Sequence, residues 1–117
     1  MDANNPLKQK LVVRRGISFT ETIFLFDKND EPIILTGYTG LMQVRSDYGA
    51  SVIIELSTSN GRITLDNNCV LLYIADEDTA DFTAGSYRYD LQLTDAAGDA
   101  YAILYGTFAV KDMVTQV

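Results

Sequence analysis

Histidine is absent from the sequence. The commonest general base near neutral pH and the commonest metal ligand are therefore missing together, which excludes Ser-His-Asp and Cys-His catalysis and histidine-bearing zinc sites. A single cysteine, Cys69, excludes an intrachain disulfide. It lies in the apolar run Cys69-Val70-Leu71-Leu72-Tyr73-Ile74, where a buried, inert thiol is expected. No apolar run approaches the roughly 20 residues that cross a bilayer. The opening Met1-Asp2-Ala3-Asn4-Asn5-Pro6 has no apolar signal-peptide core. These features lead to the expectation of a chain made and kept in a cytoplasm, or packed into a particle assembled there. The glycines are scattered at turns, and none forms a phosphate-binding loop between strand and helix.

Basic residues are few, nine against sixteen acidic ones, for a net charge of −7. That balance opposes nonspecific attraction to nucleic acid phosphates or an anionic membrane. The cations are unevenly placed. Lys8, Lys10, Arg14 and Arg15 face only Asp2 within residues 1–15, leaving a local +3 and −10 for the rest. A basic leading edge on an acidic body suits docking by complementary fields.

What the sequence does have is alternation. In Gly85-Ser86-Tyr87-Arg88-Tyr89-Asp90-Leu91-Gln92-Leu93-Thr94, four large apolar residues alternate with polar ones. Strand side chains point to opposite faces in turn, so Tyr87, Tyr89, Leu91 and Leu93 should face a core. Their burial contributes roughly 6–12 kcal/mol of gross hydrophobic stabilisation before ordering entropy is counted. The same logic marks short strands at Leu11–Val13, Ser18–Phe26, Ile33–Leu35, Leu41–Arg45, Val52–Leu56, Arg62–Leu65, Cys69–Ile74 and Tyr101–Val110. Turn-forming residues separate them, notably Asp27 to Pro32, Asn60-Gly61, Asp66 to Asn68 and Asp95 to Asp99. Around Phe24 and Phe26, and again around Ile103 and Tyr105, apolar residues occur on both faces, which marks candidate interface positions. In the last strand Leu104, Phe108 and Val110 are expected on one face with Gly106, and Ile103 and Tyr105 on the other. The one helical signal is the acidic stretch at 76–82, with Asp76 as its candidate cap.

Eight or nine short strands with one short helical turn predict an all-β, antiparallel sandwich of immunoglobulin-like type. The expected organisation is a loose basic segment at 1–10, one sandwich at 11–112 and a tail at 113–117. Asp76, Glu77, Asp78 and Asp81 lack the alternating acids and central glycine of a calcium loop and suit a surface turn. Neither a metal nor another cofactor, nor a catalytic residue, is expected. Tyr38, Tyr48 and Tyr101 near predicted corners admit a sugar-binding alternative. Tyr87 follows a short acidic turn and Gly85, the place of a tyrosine corner, whose hydroxyl returns to the backbone of the preceding turn. Tyr89, two residues on, then stands where antibody domains carry a disulfide cysteine, and no tryptophan is present to pack on a cystine.

Further stretches carry a resemblance. They are Arg15-Gly16 with Phe19, Pro32-Ile33-Ile34-Leu35-Thr36-Gly37-Tyr38, Met42 to Arg45, Gly61-Arg62-Ile63-Thr64-Leu65, Ala84 to Leu91 and Tyr105-Gly106-Thr107-Phe108. In this order the chain resembles small immunoglobulin-like proteins of bacteriophages and prophages, similar to the amino-terminal domain of baseplate upper proteins. The resemblance implies a non-enzymatic virion component of tail, baseplate or adaptor type, with capsid decoration as the alternative. It also implies other virion proteins as partners, in homo- or hetero-oligomers, and no small-molecule substrate.

Overall fold

The computed structural model describes residues 6–47 and 49–114. Among them are nine strands and one helical turn. Two sheets form. The larger is ordered β1 (Leu7–Lys8), β9 (Ala100–Lys111), β8 (Gly85–Thr94), β4 (Thr39–Arg45) and β5 (Val52–Ser57), with β2 (Leu11–Arg14) also on β9. The smaller is ordered β3 (Phe19–Phe24), β7 (Cys69–Ile74) and β6 (Ile63–Asp66). Their inward faces share one core, with Met42, Val44, Leu56, Val70, Leu72, Leu91, Leu93 and Phe108 essentially without solvent contact. Phe108 meets Phe19 and Phe82 edge-on, each with ring centroids 6.2 Å away, a geometry that aromatic quadrupoles favour. The chain is an all-β, immunoglobulin-like sandwich.

Strand β8 follows its alternation. Tyr89, Leu91 and Leu93 are buried, Tyr87 is half-buried, and Arg88, Asp90 and Gln92 are exposed. Four expectations change elsewhere. First, the sheet is mixed, because β1 and β2 run parallel to β9. Within the segment expected to be loose, Leu7–Lys8 is a sheet strand, whereas residues 1–5 of it and 115–117 of the expected tail lie outside the described residues. Second, Ile33–Leu35 forms no strand. Pro32 makes an isolated bridge with Phe26, Leu35 is buried and Ile34 is exposed. Pro32 has no N–H to extend a ladder.

Third, Ile103 is core rather than interface, at 5% exposure. The register between β8 and β9 jumps from Leu91 opposite Leu104 to Gln92 opposite Ala102. Ile103 is the extra residue of a β-bulge, and both it and Leu104 turn inward. Fourth, Cys69 is half-buried, because β7 alternates after all: Val70, Leu72 and Ile74 point in, and Cys69, Leu71 and Tyr73 point out.

Turns are set by local polar chemistry. The Asp95 carboxylate accepts the N–H groups of Ala97 and Asp99 at 3.0 and 2.9 Å and the Tyr101 hydroxyl at 3.0 Å. These bonds, the Asp99 amide first, hold its pKa below the ordinary value. Helix α1 (Asp76–Thr79) starts from Ala75 without a side-chain cap, so Asp76 is not its cap, and its carboxylate instead accepts the N–H of Glu77 at 2.9 Å. Thr79 is fully buried, and its hydroxyl lies 2.9 Å from the Ile17 carbonyl, pinning this turn to the β2–β3 connection.

Candidate docking surface

The structural tyrosines come together with the chain's first strands. The Tyr87 hydroxyl donates to the Thr83 carbonyl at 2.6 Å, four residues back in the preceding turn. Gly85 opens β8 beside it, and a Cβ there would meet the Tyr87 ring only at 3.9 Å. Tyr89 reaches further. Its hydroxyl donates to the Gln9 carbonyl at 2.6 Å, across 80 residues of sequence, where the edge strand breaks between β1 and β2. Gly106, opposite Tyr89 in the register, makes room for that contact: a Cβ there would lie 2.6 Å from the Gln9 oxygen. Burial, and then the negative charge of Glu21, push the Tyr89 hydroxyl up to a pKa of about 12.

Two of the sheet edges, at β5 and β3, are protected. On β5 the Asn60 side chain accepts the Ser57 N–H at 3.0 Å and donates to the Glu55 carbonyl at 2.9 Å, and Arg62 donates to that carbonyl at 3.1 Å. A bulge between Val44 and Arg45 disturbs the same edge pair. On β3 Glu21 is half-buried on the core side, with the Gln9 amide donating to it at 3.2 Å. An inward charge and occupied edge groups discourage another strand from pairing there.

Of the basic residues, Arg15 is taken up within the domain. It pairs with Asp112 at 2.7 Å and donates to the Ala80 carbonyl at 3.2 Å. Lys8, Lys10 and Arg14 are exposed along the β1–β2 edge. Tyr105 lies on the outer face of the larger sheet, separated from Ile103 by the bulge.

Phe24 and Phe26 belong to a different surface, the outer face of the smaller sheet. Register places Phe24 opposite Cys69, Thr22 opposite Leu71, and Thr20 opposite Tyr73. Thr64 and Asp66 of β6 stand opposite Leu71 and Cys69 on the other side. Of these eight outward positions only Asp66 is charged. Phe24 is 60% exposed and Tyr73 42%. Phe26 (51%) continues the parity of Phe24, and Ile34 (56%) follows two residues after its bridge partner Pro32. The result is an apolar and hydroxyl-bearing face in a chain of −7 charge. The sequence reading missed Cys69, Leu71, Tyr73 and Ile34 in this face. The alternation of β7 was the available signal, hidden because all six of its residues are apolar or aromatic.

The other outer face differs. Gln43, Arg45, Arg88, Asp90 and Glu55 cover it, and side-chain hydrogen bonds link Arg45 to Gln43 and Gln43 to Glu55. Among the described residues no three acidic or cysteine side chains gather as a metal site would require. The tyrosines expected at corners do not form a platform. Tyr38 and Tyr101 are half-buried against the core, the latter bonded to Asp95, and Tyr48 lies outside the described residues.

No protein-family model matches the chain, and no curated protein sequence does. Solved structures similar in form include a voltage-gated sodium channel beta subunit studied for multimeric cell-adhesive interactions. It is 11% identical, with 92% of this chain and 93% of that one covered at a TM-score of 0.46. The extracellular domain of a sodium channel beta4 subunit, described as a parallel homodimer acting in cell–cell adhesion, is 14% identical over 97% and 99%, at 0.42. A family 123 glycoside hydrolase of Clostridium perfringens is 14% identical over 95% of this chain and 24% of that one, at 0.41. The immunoglobulin-like class rests on the strand order itself, with the smaller sheet facing β9, β8, β4 and β5 and the first strands on β9.

Proposed function

We propose that this chain is a non-enzymatic binding module that docks on protein partners through the outer face of the β3–β7–β6 sheet. The observation that carries this is the stripe of exposed Phe24 and Tyr73 with half-buried Leu71 between them, extended by exposed Phe26 and Ile34, where only one of the eight outward strand positions is charged. Covering such a face removes apolar area from water at about 25 cal/mol per Å². Contiguous exposed apolar patches on a folded protein are the usual mark of an interaction site. Protection of the β5 and β3 edges makes this face a better contact there than strand addition. The setting we propose is a bacteriophage virion, in a tail, baseplate or adaptor position, with capsid decoration as the alternative. That setting is supported by the resemblance of the quoted sequence stretches, and the partners are then other virion proteins.

Mass spectrometry of purified particles tests the setting, with the chain expected among the structural proteins at fixed copy number. The docking face is tested with Phe24→Lys/Tyr73→Lys. The variant is expected to keep its urea midpoint but to be lost from particles, or from a partner captured by the wild-type chain. Incorporation equal to wild type would refute the face, and absence of the wild-type chain from particles would refute the setting.

A further inference from the structure

The outer face of the larger sheet, opposite the proposed docking face, carries a shallow depression of about 150 Å³. Gln43 and Arg45 of β4, Asp47 just beyond it, Arg88 and Asp90 of β8 and Tyr105 of β9 line it. The register makes them neighbours: Gln43 stands opposite Asp90, Asp90 opposite Tyr105, and Arg45 opposite Arg88. Two guanidinium groups directly opposed repel, yet here each has its own acceptor. Arg45 donates to Gln43 Oε1 at 2.8 Å and to the Ala50 carbonyl, and Arg88 Nε lies 3.6 Å from Asp47. Gln43 donates onward to Glu55 at 2.9 Å. One side of the depression therefore carries a hydrogen-bonded Arg45–Gln43–Glu55 chain on β4 and β5, with Arg88 of β8 beside Asp47 of the bend that follows β4.

The other side is uncommitted. No side-chain hydrogen bond within the described residues reaches the Asp90 carboxylate or the Tyr105 hydroxyl. Tyr105 is 37% exposed, and among the described residues no aromatic ring stacks on it. The lining residues bring two cations and two carboxylates, so the depression has no net charge with which to recruit a phosphate or a polyamine. A carboxylate that accepts hydroxyl protons, a guanidinium that donates, and an exposed ring for C–H groups together match a neutral polyol. The volume accommodates one sugar ring.

We infer that this depression is a binding site for one neutral hexopyranose unit. The sugar's C–H face lies on the Tyr105 ring, its hydroxyls donate to Asp90, and Arg88 donates to a further hydroxyl oxygen. A shallow site with one ring and few polar contacts gives a dissociation constant on the order of millimolar. The site lies on the face opposite Tyr73, so a module docked through the smaller sheet would present it outward.

The test is saturation-transfer NMR and amide shift mapping on the full chain with the methyl pyranosides of glucose, galactose, mannose, N-acetylglucosamine and rhamnose. At least one is expected to give saturation transfer and to shift the amides of Gln43, Asp90 and Tyr105. Tyr105→Ala and Asp90→Ala, both at exposed positions, are each expected to weaken that binding by about tenfold or more. Tyr73→Lys is expected to leave it unchanged, which separates this site from the docking face. No shift at these amides with any of the five sugars would overturn the inference. So would binding that survives both Tyr105→Ala and Asp90→Ala in variants whose spectra show an intact fold.

Discussion

Replacing Gly106 by alanine isolates the contact that fastens the first strands to the sandwich. The added Cβ would stand 2.6 Å from the Gln9 carbonyl oxygen and 3.2 Å from its carbon. Both are backbone atoms, so no side chain can swing aside. The backbone at Gly106, φ +151°, is also one that residues with a Cβ seldom adopt. Relief requires the Gln9 segment to move away, and two bonds go with it: Tyr89 Oη to Gln9 O at 2.6 Å and Gln9 N to Tyr105 O at 2.9 Å. Two bonds at about 0.5–1.5 kcal/mol each, with about 1–3 kcal/mol of overpacking strain, give a loss of about 2–6 kcal/mol. In urea unfolding the midpoint should fall by roughly 1–3 M. Amide exchange should rise first at residues 7–14. In the Gly106→Ala background, Tyr89→Phe should add little, since its bond is already broken. A midpoint within about 0.3 M of wild type would refute the account of Gly106 as a required gap.

Three further outcomes follow from the same geometry. Tyr89 has its folded-state pKa raised from 10.0 to about 12, so its contribution is complete below pH 10 and is lost as the pH climbs toward 12, worth about 3 kcal/mol at most. Unfolding curves of wild type and Tyr89→Phe should therefore converge across that window, and curves that stay parallel would contradict the buried hydroxyl. Tyr87→Phe should cost about 0.5–1.5 kcal/mol through loss of the bond to Thr83, and an unchanged urea midpoint would count against a tyrosine corner. Ile103→Ala should cost about 2–4 kcal/mol by leaving a cavity, whereas a surface position would cost under about 0.5 kcal/mol, so calorimetry separates the two placements.

Legibility in the sequence followed the regularity of each strand. Strand β8 was readable residue by residue because polar and apolar positions alternate without a break. Strand β9 kept the expected faces at Leu104, Gly106, Phe108 and Val110 and at Tyr105, but not at Ile103, where one inserted residue reverses parity and leaves no mark in composition. Strand β7 defeated it differently. Six apolar or aromatic residues in a row suggest burial on both faces, and only the pairing of β7 between β3 and β6 at the outside of the sandwich shows that three of them face outward. The basic cluster also divided: Arg15 closes onto Asp112 and Ala80, contacts made at a sequence distance that no local pattern encodes. Edge covering by Asn60 was similarly invisible, because Asn60-Gly61 signals a turn equally well whether or not its amide caps a neighbouring strand.

Tyr89 shows why the fold tolerates the loss of its usual crosslink. A disulfide closing a long loop typically contributes about 2–4 kcal/mol, largely by restricting the unfolded chain. Tyr89 does nothing to the unfolded chain; its ring fills the core and its hydroxyl reaches Gln9, so its contribution lies entirely in the native state. The bond also runs to a different place. An antibody cystine ties the two sheets together, whereas Tyr89 ties β8 to the interruption between β1 and β2, within the larger sheet. Cohesion between the sheets is then left to packing, with Phe108 of β9 set between Phe19 of β3 and Phe82 after α1. Such a sandwich owes nothing to an oxidising environment, and its single thiol, Cys69, stays on the outer face beside Phe24.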